Sequence, residues 1–217
     1  ACIKETDSFE ENINAANLGT AIHDALEEVY QPFVGRAVVE SELLAQQKLI
    51  SEKLLRHFKL QLKTDEDLTG EDLLAFEVAK VYVNRVIQHD VKQLKEGNVI
   101  TILGLEKELA RAVEIPDGNG KFTILVKGKA DRIDRLSDGT IRVIDYKTGS
   151  FSKRFEIRSK DDFDRSDTDN AFQMLTYLYA VAPELDSDKL TATGFYLRSK
   201  DIEKNISVVI DKEKLEV

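Results

Sequence analysis

Between Gly128 and Gly149 the chain reads GKADRIDRLSDGTIRVIDYKTG, and no other stretch restricts the possible folds so tightly. Two extended runs flank Ser137-Asp138-Gly139. That triplet fits a three-residue hairpin loop, a type I turn whose last residue takes the left-handed conformation that glycine tolerates. Residue 136 then pairs with 140. Counting back along both strands sets Asp131 directly across from Asp145 on one face, with Cβ atoms on the order of 5 Å apart. A two-residue loop would shift every pairing and put Tyr146 across from Asp131, so the register rests on this turn.

Like charges opposite one another destabilise a sheet unless something positive lies between them, and a divalent cation is the economical solution. Side chains alternate along a strand. Asp145 and Lys147 therefore share a face, while Tyr146 points the other way and leaves its carbonyl near the same spot. The register also sets Asp134 opposite Arg142 on the other face, as in an ordinary cross-strand ion pair, which assigns Asp134 to structure. It brings Lys129 opposite Lys147, an unfavourable pair that requires the strands to splay or a phosphate to lie nearby. Ile141, Val143, Ile144 and Tyr146 are apolar on both faces, as a central strand requires.

Around this hairpin the periodicity is informative. Leu18, Ile22, Ala25, Leu26, Val29 and Phe33 follow helical spacing over residues 14–33. Residues 37–62 repeat the pattern through Val38, Leu43, Leu44, Leu49, Ile50, Leu54, Leu55 and Phe58. Residues 71–95 repeat it through Leu74, Val78, Val81, Tyr82 and Ile87. After Gly97-Asn98 the texture changes to β-branched runs over 99–115, 121–136 and 140–148, which predict three antiparallel strands. A helix over 169–182 stops before Pro183, and strands over 190–198 and 204–210 close the chain. The sum is a single α+β domain spanning 1–217, with a helical part to about residue 97 and a sheet core with one helix over 98–217.

No run approaches the roughly 18 apolar residues that span a membrane, and no signal peptide is visible. A soluble, cytoplasmic protein without membrane partners is expected. Cys2 is the single cysteine, which excludes an internal disulfide or a four-cysteine cluster built from this chain. The net charge of −9 speaks against diffuse attraction to nucleic acid. Lys153, Arg154, Arg158, Lys160 and Arg165 nonetheless cluster after the hairpin. Asp161, Asp162, Asp164 and Asp167 are interleaved with them, so the segment fits a solvated loop as well as a local binding surface. The chain starts at Ala1 in polar sequence, as a segment of a longer protein would.

GKADRID followed by VIDYKTG resembles the active-site signature of the PD-(D/E)XK nuclease superfamily, in particular the nuclease domains of the RecB and AddB recombination enzymes and related stand-alone exonucleases. Gly19-Thr20-Ala21-Ile22-His23 matches the family's Gly-xxx-His element on the first helix, and Gln173-xxx-Tyr177 its element on the helix after the DYK strand. Gly19 lies one turn before His23, so its missing side chain leaves room for a ligand beside the imidazole. Gln173 and Tyr177 share a helical face and are suited either to binding a phosphate or base edge or to packing. His57 and His89 have no such company and read as packed histidines.

The resemblance implies an α/β/α restriction-endonuclease-like core, a central mixed sheet flanked by helices, and metal-dependent hydrolysis of DNA. Asp131, Asp145, His23 and the Tyr146 carbonyl would hold Mg²⁺ or Mn²⁺. Lys147, with Asp131 and Asp145, would be catalytic, and Gln173 and Tyr177 would bind substrate. An acidic residue on the first core strand contributes in many members, for which Glu106 and Glu108 are both candidates. The resemblance implies DNA ends or single strands as partners, with a helicase subunit or domain beside them. No phosphate-binding loop of a motor is present in the sequence, so the expectation is either a domain of a larger repair protein or a small stand-alone nuclease. The iron-sulfur cluster of AddB-type domains is excluded by the cysteine count. A catalytically silent DNA-binding or scaffold domain and a structure-specific endonuclease are the competing readings.

Overall fold

In the first helix, α1 (Ala15–Tyr30), the Asn14 side chain caps the start by accepting from the Asn17 N–H at 2.9 Å. Ala21, Ile22, Ala25, Leu26 and Val29 recur at helical spacing and are buried. The computed structural model describes residues 13–118, 120–149, 169–185, 187 and 189–207. Cys2 and the basic cluster Lys153–Arg165 lie outside these residues.

The pattern over 37–62 resolves into two helices, α2 (Glu40–Lys48) and α3 (Ile50–Leu62), which meet at Leu49. Leu49 has φ −93° and ψ 0°, in the sparsely allowed bridge between regions, and is exposed rather than part of the expected stripe. α4 (Gly70–Lys95) carries Glu71 and Asp72 in its first turn and Lys92 and Lys95 in its last, each complementing the helix dipole. Its buried face differs from the expected one. Leu74, Val78 and Val81 are exposed, whereas Phe76, Ala79, Val83, Val86, Ile87 and Val91 enter the core. α4 is apolar on two sides, and the tertiary partners choose between them.

The strands are β1 (Ile100–Asp117), β2 (Gly120–Leu136), β3 (Ile141–Lys147), β4 (Leu190–Tyr196) and β5 (Glu203–Ser207). They form one sheet in sequence order, antiparallel except for the β3–β4 pair. That parallel pair requires a crossover, which contains α5 (Asp169–Val181). Helices α1 to α4 pack on one face, with Ile144, Tyr146 and Phe195 in their core. α5 packs on the other, with Met174 and Leu178 against Ile133, Val143 and Ala192. The expected α+β architecture of a mixed sheet between helical layers is what forms.

The hairpin register is the predicted one. Asp134 pairs with Arg142 and Arg132 with Ile144, and Gly139 has φ +85° in the turn. Beneath the sheet lies a buried ion network. Arg132, fully buried, donates to Asp90 at 2.7 Å and to Asp134 at 2.6 Å, and its guanidinium sits 4.5 Å over the Tyr30 ring. Arg142 donates to Asp134 at 2.8 and 2.9 Å, so Asp134 is structural as its register position implied. Burial would raise the Asp90 pKa, yet the Arg132 charge prevails and holds it far below the usual carboxylate range. Charges buried this deeply persist because each is paired.

Candidate active site

β2 and β3 diverge where the sequence placed two like charges. Their ladder ends at Arg132 and Ile144, one pair before Asp131 and Asp145. There the Tyr146 N–H donates to Asp131 Oδ2 at 2.6 Å, so a side chain replaces the next rung. The splay also disposes of the Lys129–Lys147 conflict: Lys129 turns to Glu106, and Lys147 to Asp145 and Gln173.

α1 brings His23 to the same edge. Its Nε2–H donates to the Tyr146 carbonyl at 2.9 Å, and Nδ1 lies 3.3 Å from Asp131 Oδ1. Burial would pull the imidazole pKa down. The hydrogen bond and charge of Asp131, the Tyr146 carbonyl and the Asp145 charge outweigh it and raise the ring to about 9. Gly19, one turn earlier, faces Thr148: a Cβ there would meet its Oγ1 at an ordinary 3.7 Å. The space beside Gly19 is thus bordered by Thr148.

The third strand of the site was only half legible. β1 changes register against β2 between Ile102 and Gly104, and two residues later Glu106 adopts φ +47°. A non-glycine residue in that conformation is costly and marks a place where the surrounding structure dictates the backbone. The kink directs the Glu106 carboxylate toward His23 and Asp131, and the ligand atoms of these three groups lie within 4.8 Å of one another. Glu108 is exposed and lies along the ladder opposite Lys129. Gly104 inside a strand run was the available signal, since such a glycine often marks a bulge.

Asp145 completes the edge. Burial and the neighbouring Asp131 charge push it up to about 6, against Lys147 and His23. Its Oδ2 is buried and accepts no hydrogen bond among the described residues, although Lys147 Nζ lies 2.8 Å away. Lys147 meets this oxygen as an ion pair. Carboxylates, a carbonyl and an imidazole, with one buried oxygen still able to accept, fit a hard divalent cation. An imidazole must give up its proton to take part as a ligand.

Lys147 Nζ also donates to Gln173 Oε1 at 2.7 Å, and Gln173 Nε2 donates to the Tyr177 hydroxyl at 2.6 Å. These two α5 residues thus reach the site through Lys147. His57 instead pairs with Glu28 at 3.0 Å, and His89 with Glu203 at 2.8 Å and Asp90 at 3.3 Å, each as a packed histidine. No described helix is long and apolar enough to cross a membrane.

No curated protein matches the chain. Among solved structures, the crystal structure of SSO0001 is similar at 22% identity with a TM-score of 0.29, over 64% of this chain and 61% of that one. The chain thus spans about three-fifths of the length of that structure, and a likeness so low carries no weight for function. A family model described as the PD-(D/E)XK nuclease superfamily matches residues 2–216.

Proposed function

Since the chain belongs to the PD-(D/E)XK nuclease superfamily, whose members are metal-dependent nucleases, we propose that it is a Mg²⁺- or Mn²⁺-dependent DNA exonuclease of the RecB and AddB type. It acts on DNA ends or single strands in repair or recombination, as one domain of a larger protein or beside a helicase partner. The observation that carries the reading is the convergence of His23, Glu106, Asp131, Asp145 and Lys147 at one edge of the sheet.

Asp131, Asp145, Glu106, His23 and the Tyr146 carbonyl are the groups that would hold the cation. Bound there, the cation would polarise a phosphoryl oxygen and lower the pKa of a nearby water. Asp131 keeps its place by accepting from the Tyr146 N–H, which fixes a carboxylate against the end of β3. Lys147, two residues beyond Asp145, presents an ammonium to the same edge. There it orients the attacking water and stabilises charge on the phosphorane, an electrostatic role that a lysine fixed at both sides fills without reorganisation. Gln173 and Tyr177 complete the set, a reading supported by the hydrogen bonds that run from Lys147 to Gln173 and from Gln173 to Tyr177.

The test is cleavage of end-labelled linear DNA with Mg²⁺ or Mn²⁺ by the wild type, Asp145→Ala and Lys147→Ala. Loss of about 10² to 10³ in rate in each variant is expected. Absence of cleavage with either metal, or equal cleavage by the variants, would overturn the assignment. Degradation of circular single strands would favour an endonuclease instead.

A further inference from the structure

Gly128 lies on β2 opposite Leu109, three residues before Asp131. A Cβ at this position would stand 2.4 Å from Tyr177 Cε1 and 2.7 Å from Cδ1. Real Cβ atoms do not approach so closely, so a side chain here would force a shift, and Tyr177 is itself buried, a ring packed in the core rather than the far end of a flexible side chain. The tyrosine ring rests directly on the glycine backbone.

The Tyr177 hydroxyl accepts from Gln173 Nε2, and Gln173 Oε1 accepts from Lys147 Nζ. An ammonium only donates, so the amide oxygen must face Lys147 and its nitrogen must face the hydroxyl. Residues 173 and 177 share one face of α5, one turn apart. Both ends of the Gln173 amide are thereby engaged inside the protein. We propose that Gly128 is a positioning residue for Lys147: it seats the Tyr177 ring at the depth from which Tyr177 and Gln173 hold the ammonium beside Asp145.

This deepens the nuclease reading and rests on it for the part of the test that uses DNA. It differs from a substrate-binding role for Gln173 and Tyr177, because a positioning chain acts on the chemical step. Gly128→Ala is expected to lower kcat about tenfold or more with KM little changed, as misplacement of a reacting group does. Tyr177→Phe, which keeps the ring and removes the hydroxyl, should lower kcat severalfold with KM unchanged even if Gly128→Ala folds poorly. In a Tyr177→Ala background the added Gly128→Ala substitution should cost no more than about twofold, since the two changes break one contact. A wild-type kcat in Gly128→Ala, a loss confined to KM, or multiplicative losses in the double variant would overturn the proposal.

A second readout needs no DNA. Acylation of Lys147 by an amine reagent, followed by peptide mass spectrometry, should be severalfold faster in Gly128→Ala and Tyr177→Phe than in wild type. Unchanged labelling overturns the positioning role. Changed labelling in a protein that cleaves no DNA sustains the positioning role while the nuclease reading fails.

Discussion

Asp131 and Asp145 sit in a mostly buried corner, where burial first and the Asp131 charge second push Asp145 up. Asp145→Asn removes that repulsion, and Lys147 keeps Gln173 as a partner. Without added metal the variant should be more stable by about 1 kcal/mol in denaturant unfolding while cleaving no DNA, the trade-off expected where function opposes stability. A less stable variant would show that the carboxylates do not repel. His89 gives a pH dependence away from the site. Burial would lower its pKa, but hydrogen bonds to Asp90 and Glu203 and their charges raise it to about 9, with Arg132 and Arg142 beyond those carboxylates. The folded value lies above the unfolded one near 6.5, so the stabilisation is complete below about pH 6.5 and is lost as pH rises through about 9. The stability gap between wild type and His89→Gln should therefore be wide at pH 6 and narrow at pH 9.5. A gap that widens with pH would contradict the assignment. At this scale Asp131, Asp145 and Lys147 were legible because one turn fixed their register, whereas Glu106 depended on a backbone kink that Gly104 only hinted at.

The turn is the element on which the site's geometry depends. Gly139, at φ +85°, ends a loop in which the Leu136 N–H donates to the Thr140 carbonyl at 2.8 Å and the Gly139 N–H to the Leu136 carbonyl at 3.0 Å. Gly139→Ala has open space for its methyl group and pays only in backbone strain, so it should cost about 1 to 2 kcal/mol in unfolding free energy. A neutral substitution would mean that the turn does not set the register. Other elements were harder to read. Nothing between Gln46 and Glu52 announces the break at Leu49, since no glycine or proline stands there and propensity continues through it. In α4 the exposed Leu74, Val78 and Val81 follow helical spacing as well as the buried Phe76, Ala79, Val83 and Val86 do, and periodicity cannot say which side meets the core.

Across the whole molecule, the buried network is what sequence could not supply. The Asp134–Arg142 pair followed from the hairpin register, but Asp90 on α4 and Glu203 on β5 are far from it along the chain, and Asp90 meets Arg132 only when the helical layer closes on the sheet. The antiparallel run of the first three strands, by contrast, followed from counting extended runs and turns, whereas the places of β4 and β5 and the parallel β3–β4 pair emerge only in the structure. The network braces the β2–β3 hairpin from one face while α5 holds the other, which leaves the splayed strand ends as the place where His23, Glu106, Asp131, Asp145 and Lys147 converge. That this edge binds a divalent cation in order to cut DNA is tested most directly by the Mn²⁺ dependence of cleavage of end-labelled linear DNA, compared between wild type and Asp131→Asn. Saturating cleavage by the wild type is predicted, with the variant needing far more Mn²⁺ or cleaving at no concentration. Equal Mn²⁺ dependence in the two proteins, or cleavage by neither, would contradict it.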